Sequence, residues 1–312
     1  MLVLSDTVVQ VLVTSADSFM GHNVCEHLLT ETDVQVTAAG VVREQMRDLQ
    51  TLGALVVEYT LPNLAQLQRA MQDKHVVVIV PPADGESAQV TIKMMDAAMQ
   101  ANVHTILLMT VARGTAASNE LGPRLADMQR MEQHLQSSQS SWAIVQNTFL
   151  QEDLCIFSRG IQATNQLGLP IGQGKFAPVR MSDVSAYVAH LIRHGDWDTG
   201  RGSLDADHDH QVHTLTGPES YDGPELVRLL SVSTGAEIKF RDEDRQRIAD
   251  YLAHLTTLDI SDREIMLEWF DLVKAGKVDV VTDTLERELE RRARRFQGLC
   301  REWAPIFTPF RF

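Results

Sequence analysis

The sequence is poor in the features that staple, anchor or steer a chain. Its three cysteines, Cys25, Cys155 and Cys300, lie far apart and make no Cys-x-x-Cys pair. That spacing excludes a disulfide framework and a zinc knuckle and fits a reducing cytoplasm. No apolar run nears the roughly 20 residues of a membrane-spanning helix; the longest, around Val76 to Pro82, stops far short. MLVLSDTVVQVLVTSAD at the start carries no basic region and no small-residue cleavage site, so no secretory leader is expected. Basic residues are scarce too, 28 against 42 acidic ones for a net charge of −14. A surface of that sign repels polyanions, so neither nucleic acid nor a membrane is an expected partner.

Catalytic signatures are also missing. None of Tyr59, Tyr187, Tyr221 and Tyr251 is followed four residues on by lysine, which excludes carbonyl reduction by a Tyr-x-x-x-Lys pair. No G-x-S-x-G elbow occurs. GLPIGQGK at 168–175 fails as a phosphate loop, because Leu169 and Phe176 stand where glycine and Ser/Thr are needed.

What is present is a globular composition, 44% hydrophobic and 22% charged over 312 residues, long enough to bury a large core. Strand-like and helix-like segments alternate over the first 150 residues. Val8–Thr14, Val34–Val42, Leu55–Glu58, Val76–Val80, Thr105–Met109 and Trp142–Val145 read as strands. Phe19–Leu29, Arg43–Leu52, Leu64–Met71, Ala88–Met99 and Leu125–Leu135 read as the helices between them. The expected fold class is therefore α/β, a doubly wound parallel Rossmann-like sheet. A dinucleotide-binding type of domain would span 1–154. A smaller α+β region, 155–312, would supply the substrate side and return strands to the main sheet. In it, Asp183–Arg193 reads as a helix capped by Ser182 or Asp183, and Leu285–Phe296 as a solvated, strongly charged helix. Asp205-Ala-Asp-His-Asp-His210, with His213 beyond, has metal-ligand residue types, and a strand would put His208 and His210 on one face. A solvated loop is the preferred reading there, and no metal is assigned.

The turn after the first strand runs Ser15-Ala-Asp-Ser-Phe-Met-Gly21. It stands where a glycine-rich turn would present a helix N-terminus to a pyrophosphate. Ser15 and Ser18 replace two of the three glycines, and Asp17 adds a carboxylate expected to oppose a dianion.

Six segments in order resemble the NmrA-like branch of the atypical short-chain dehydrogenase/reductases. They are VLVTSADSFMG at 11–21, VVREQMRDLQTLGALVVEYTL at 41–61, WAIVQNTFLQEDL at 142–154, GKFAPVRMSDVSAYVAHLI at 174–192, LTGPESYDGPELVRLLSVSTGAEI at 215–238 and VTDTLERELERRARRFQGLCREWAPIF at 281–307. The resemblance implies a Rossmann fold and a cofactor of the NADPH or NADH type. It places that cofactor along Ser15, Ser18, Phe19, Met20, Gly21, Arg43, Pro81 and Pro82, with Arg43 near an adenosine 2′-phosphate. The chain departs from the pattern where Thr60 replaces an adenine-binding aspartate. It departs again where Met128, four residues before Glu132, replaces a lysine, and where Gln146-Asn147-Thr148 replaces Arg-Pro-Gly.

A pocket beyond the carboxyl ends of the strands would draw on Arg113, Met128, Gln146, Thr148 and Phe149, with Thr110, Asn147 and Asp153 as candidate catalytic groups. Helix capping is the competing reading for Asp153 and Thr148. Methionine in place of lysine favours an apolar or aromatic small molecule over an anion. Three functions stay open on this sequence. The simplest is an NAD(P)H-dependent reductase of an apolar conjugated or quinone-like substrate. The others are a cofactor-independent isomerase, cyclase or dehydratase, and a redox or ligand sensor working through a regulatory protein partner. A homodimer is equally open.

Overall fold

The structure, a computed structural model, describes residues 8–61, 63–83, 86–197, 202–255 and 258–310. The expected leader-free start falls partly on residues 1–7, outside the described residues. Each β-branched run forms a strand and each amphipathic stretch a helix. The first half reads β1 (Gln10–Val13), α1 (Phe19–Glu31), β2 (Gln35–Gly40), α2 (Arg47–Thr51), β3 (Leu55–Glu58), α3 (Ala65–Ala70), β4 (Val76–Ile79), α4 (Ser87–Gln100), β5 (Thr105–Val111), α5 (Pro123–Gln136) and β6 (Ser141–Asn147). The helix expected over Arg43–Leu52 opens instead with a 3-10 turn, Arg43–Met46, before α2.

The second half contributes α6 (Ser158–Thr164), β7 (Gln166–Leu169), α7 (Met181–Arg193), β8 (Gln211–Leu215), α8 (Gly223–Thr234), β9 (Lys239–Asp242), α9 (Arg245–Ala253), α10 (Ile260–Lys274), α11 (Thr284–Leu289), α12 (Phe296–Glu302) and α13 (Ala304–Phe307). Seven strands form one sheet in the order β3-β2-β1-β4-β5-β6-β8, every pairing parallel. β7 and β9 pair separately, also in parallel. The strand order reverses between β1 and β4, which opens a crevice at their carboxyl ends.

Alternation across the pleat explains why these strands lack polar residues. Val11, Val13, Val76, Val78, Leu107 and Met109 pack on the face covered by α1 and α7. Leu12, Val77, Ile79, Ile106 and Leu108 pack on the opposite face with α4, α5 and α10. Both faces are dry, so both residue parities must be apolar.

Two expectations for the second half are corrected. Helix α7 begins at Met181 with no side-chain cap. Asp183 lies fully buried instead, accepting from the Arg294 backbone N–H at 2.6 Å and pairing with Arg291 at 2.8 Å. The same pull breaks the expected Leu285–Phe296 helix. α11 stops at Leu289, Glu290 turns left-handed at φ 50°, and the chain drops out of helical form to reach Asp183. Residues 206–210 form turns, in keeping with the preferred loop reading and not with the alternative strand. His208 is buried, while His210 takes φ 58° and donates its backbone N–H to Trp142. The two imidazoles do not share a strand face.

Because Asp183 holds the 290–296 segment, Asp183→Ala is expected to lower unfolding free energy by about 2 kcal/mol, the range for hydrogen bonds to charged groups. Urea denaturation measures the loss. Faster tryptic cleavage at Arg291 and Arg294 in native buffer would report the released segment.

Candidate active site at the strand ends

The turn between β1 and α1 reaches glycine-like geometry without its usual glycines. Ser15 adopts φ 48°, the left-handed conformation glycine normally supplies. That costs about 1 kcal/mol for a residue with a side chain. Its hydroxyl does not enter the turn: it donates to the Val80 carbonyl at 2.9 Å and is buried. Thr14 donates to the same carbonyl at 3.0 Å and accepts from the Val80 N–H at 2.9 Å. Ser18 caps α1 by accepting from the Gly21 N–H at 3.2 Å. Gly21 is needed for close packing, since a β-carbon there would stand 2.2 Å from the Ser15 carbonyl oxygen.

Asp17 does not lie where the sequence placed it. Its carboxylate turns from the expected pyrophosphate position toward the end of β2. There it accepts from the backbone N–H groups of Val41 and Val42 at 2.7–2.8 Å. Arg43 is exposed beside them, its guanidinium 3.4 Å from the Val56 carbonyl. Thr60, past the end of β3, is exposed as well.

From the α1 N-terminus a cavity of about 480 Å³ runs along the carboxyl ends of β4, β5 and β6 to helix α10. Ser18, Phe19, Met20, Pro81 and Pro82 line the end of the cavity next to the β1–α1 turn. Met109, Thr110, Met128, Asn147, Thr148 and Phe149 form the middle. Ile265, Met266 and Trp269 of α10, with Trp303, close the far side. Phe149 stacks on Trp269 with ring centres 5.6 Å apart, and the Trp269 indole N–H donates to the Ala112 carbonyl. Trp303 in turn carries the Arg180 guanidinium 5.6 Å from its ring centre.

The candidate polar residues separate into two groups. Thr110, Arg113 and Gln146 converge on the buried Glu132. Thr110 donates at 2.6 Å, Gln146 at 2.9 Å, and Arg113 clamps both carboxylate oxygens at 2.9 and 2.5 Å. Arg113 and Gln146 thus stand behind the wall, outside the cavity lining. Asn147 donates to the Thr148 carbonyl, and its Oδ1 is buried at the cavity without a hydrogen-bond partner. Thr148 is spent on the Ala177 carbonyl at 2.6 Å.

Asp153 faces the cavity, together with Asp262 of α10. Burial, reinforced by the charges of Glu152 and Asp262, pushes the Asp153 carboxyl up to about 7 against a single backbone N–H from Leu150. Burial likewise pushes Asp262 up to about 6, with Asp259 adding to it. Glu152 is held apart by Arg180 at 2.8 Å. Sequence reasoning missed Glu132 as the common partner, and it missed Asp262 and Trp269. The amphipathic pattern of α10 was the available signal, but nothing in it said which helix would cover the strand ends.

The sequence pattern of a protein family described as NAD(P)H-binding matches residues 16–194. An NAD(P)H azoreductase of Xenophilus azovorans is 22% identical over 298 residues, covering 95% of this chain and 99% of that protein. Among solved structures, an NADPH-dependent quinone oxidoreductase of Escherichia coli complexed with NADPH aligns with a TM-score of 0.78 at 18% identity. It covers 94% of this chain and 99% of its own. A triphenylmethane reductase of Citrobacter sp. complexed with NADP(H) aligns at 0.77 and 15% identity, covering 95% and 99%.

Asp153 also makes a stability prediction. Its folded pKa near 7 exceeds the ordinary carboxyl value near 4, so the native state holds the proton more tightly. Stability therefore falls as pH rises from about 4 to 7. Asp153→Asn cannot ionise, so its melting temperature should exceed the wild type's by a few degrees at pH 8 and match it near pH 4. Thermal scans at the two pH values check this.

Proposed function

The chain belongs to the NAD(P)H-binding family, in the NmrA-like branch of the atypical short-chain dehydrogenases/reductases, and on that premise we propose that it is a nicotinamide-dependent reductase of neutral or cationic planar aromatic molecules, of the quinone or azo-dye kind. The observation that carries this reading is the continuity of one cavity. It joins the α1 N-terminus to an aromatic chamber holding a carboxyl that is still half-protonated at about pH 7. The azoreductase, quinone oxidoreductase and triphenylmethane reductase relatives support it over a cofactor-free enzyme or a sensor.

The residues present fit a dinucleotide. Ser15 holds the turn open with its side chain tucked under Val80, and the first turn of α1 carries the partial positive charge that suits a pyrophosphate. Phe19, Met20, Pro81 and Pro82 would flank the dinucleotide. The bound nicotinamide would supply hydride. Phe149 and Trp269, stacked on each other, line the chamber with aromatic surface that suits a planar substrate. Asp153 would donate the proton that balances hydride addition to a quinone oxygen or azo nitrogen system. Met128, Ile265 and Met266 keep the chamber apolar, and the carboxyls of Asp153 and Asp262 disfavour an anionic substrate.

Asp17 sets the cofactor preference. Its carboxylate already occupies the two amides at the end of β2, the place that meets the adenosine ribose in this fold. A 2′-phosphate would have to displace it, whereas ribose hydroxyls can donate to it. NADH is therefore the favoured cofactor.

Oxidation of NADH and NADPH, followed with a neutral quinone and with cationic and anionic azo dyes, tests these assignments. Turnover with NADH is expected, with a KM for NADPH at least about tenfold higher. Asp17→Ser should narrow that gap. Turnover should fall as pH rises through 7, where Asp153 loses its proton, and Asp153→Asn should lower kcat by about a hundredfold. No oxidation of either nucleotide with any acceptor sinks the reductase reading. Equal KM values for the two nucleotides sink only the role of Asp17.

A further inference from the structure

On the face of the sheet away from this cavity, α7, the turn before β8 and α11 bring together His190, His208 and Glu288. The Glu288 Oε2 lies 3.6 Å from His190 Nε2 and 3.5 Å from His208 Nε2, and one ligand atom from each residue lies within 4.8 Å of the others. These separations are long for hydrogen bonds. They match the edge of a tetrahedron, about 3.4 Å, built on metal–ligand bonds of about 2.1 Å. We propose that His190, His208 and Glu288 bind one divalent transition-metal ion of the zinc class, remote from the cofactor path.

The surroundings suit such an ion. Glu288 Oε1 is taken by the Arg287 guanidinium at 2.8 Å, which leaves Oε2 as a single ligand atom. His208 is 6% exposed, and its position is set by a backbone bond from His208 N–H to the Asp205 carbonyl at 2.9 Å. His208 Nδ1 and, beside it, His213 Nε2 are buried without hydrogen-bond partners, with the two rings 5.2 Å apart. With Nδ1 unpaired, His208 can carry its proton there and keep the Nε2 lone pair free for a metal. His190 is fixed within α7, its ring 4.1 Å from that of His194.

The cluster also has access from outside. His190 and Glu288 line a second cavity of about 390 Å³ between α1, α7 and α11, while His208 is buried outside its lining. The ion would hold three protein ligands and leave its fourth position for water from that cavity, an open site by zinc standards. His27, Arg193, His194 and Arg291 share the cavity wall. Three segments distant in sequence would be tied at one point, so binding should add stability by mass action.

Calorimetric titration of the chelator-treated full chain with zinc chloride tests the site. One zinc per chain is expected, with a rise in melting temperature and, for cobalt(II) in place of zinc, the visible ligand-field bands of a tetrahedral ion. His190→Ala and Glu288→Gln, both at partly exposed positions, should each weaken binding at least about tenfold. His210→Ala, outside the cluster, should leave it unchanged. His208→Ala should abolish binding, and if that variant fails to fold the other two decide. Absence of zinc binding would overturn the proposal. So would binding that survives both His190→Ala and Glu288→Gln, which would mark adventitious capture by surface histidines. None of these readouts involves a nicotinamide or a dye, so the outcome is independent of the reductase assignment.

Discussion

A single carbonyl, that of Val80, organises the carboxyl edge of this protein. Thr14 and Ser15 both donate to it, and Thr14 also receives the Val80 N–H. The three bonds clamp the end of β1 to the end of β4, the two strands between which the sheet reverses direction. Without that clamp, a serine at φ 48° would have no compensation for its strain. The turn keeps its shape because the hydroxyl that makes Ser15 a poor glycine is the group that anchors it. From this point α1 leaves at a fixed angle, close enough to Ser15 that only glycine fits at position 21. Pro81 and Pro82 follow directly from the clamped residue into the cavity wall.

A second balance operates in the cavity itself. The charges that the fold must bury are paired. Glu132 is saturated by Thr110, Gln146 and both arms of Arg113. Glu152 is tied to Arg180. The rest of the chamber lining is mostly apolar or aromatic, with the neutral polar groups of Thr110, Asn147 and Thr148 and the two carboxyls of Asp153 and Asp262. These two carboxyls have no cationic partner among their main influences and so resist ionisation. Pairing the charges while leaving these acids unpaired lets one small space be both greasy and able to deliver a proton.

The fold was legible because both faces of the sheet are dry, so the strand residues had little freedom to be anything but branched and apolar. The turn was located correctly from Ser15 to Gly21, between β1 and α1. The direction of Asp17 was not readable. A carboxylate one residue before a helix cap can face a ligand or a neighbouring strand, and the choice rests on the free amides of Val41 and Val42, 24 and 25 residues away. The helix through Arg291 failed for a similar reason. Local charge alternation favoured continuation, but a buried Asp183 over a hundred residues distant outweighed it. Arg113 and Gln146 were expected in the pocket, and only three-dimensional packing reveals that they face Glu132 outside its lining. Long-range polar pairing leaves no periodic trace in a sequence.

The chamber's walls come from the two ends of the polypeptide, with Phe19 and Met20 near the start and α10 and Trp303 near the finish. During synthesis the six strands of the first half can pair long before residues 258–303 exist. Until then Phe149 and Met128 have no indole or methionine from α10 to cover them. β8 cannot complete the sheet beside β6 until well over two hundred residues have been made. The nascent chain thus passes through a stage with an unpaired β6 edge and an open apolar trough, the kind of surface on which chaperones act. The greasy chamber that suits an aromatic substrate is, for that interval, the protein's greatest exposure to aggregation.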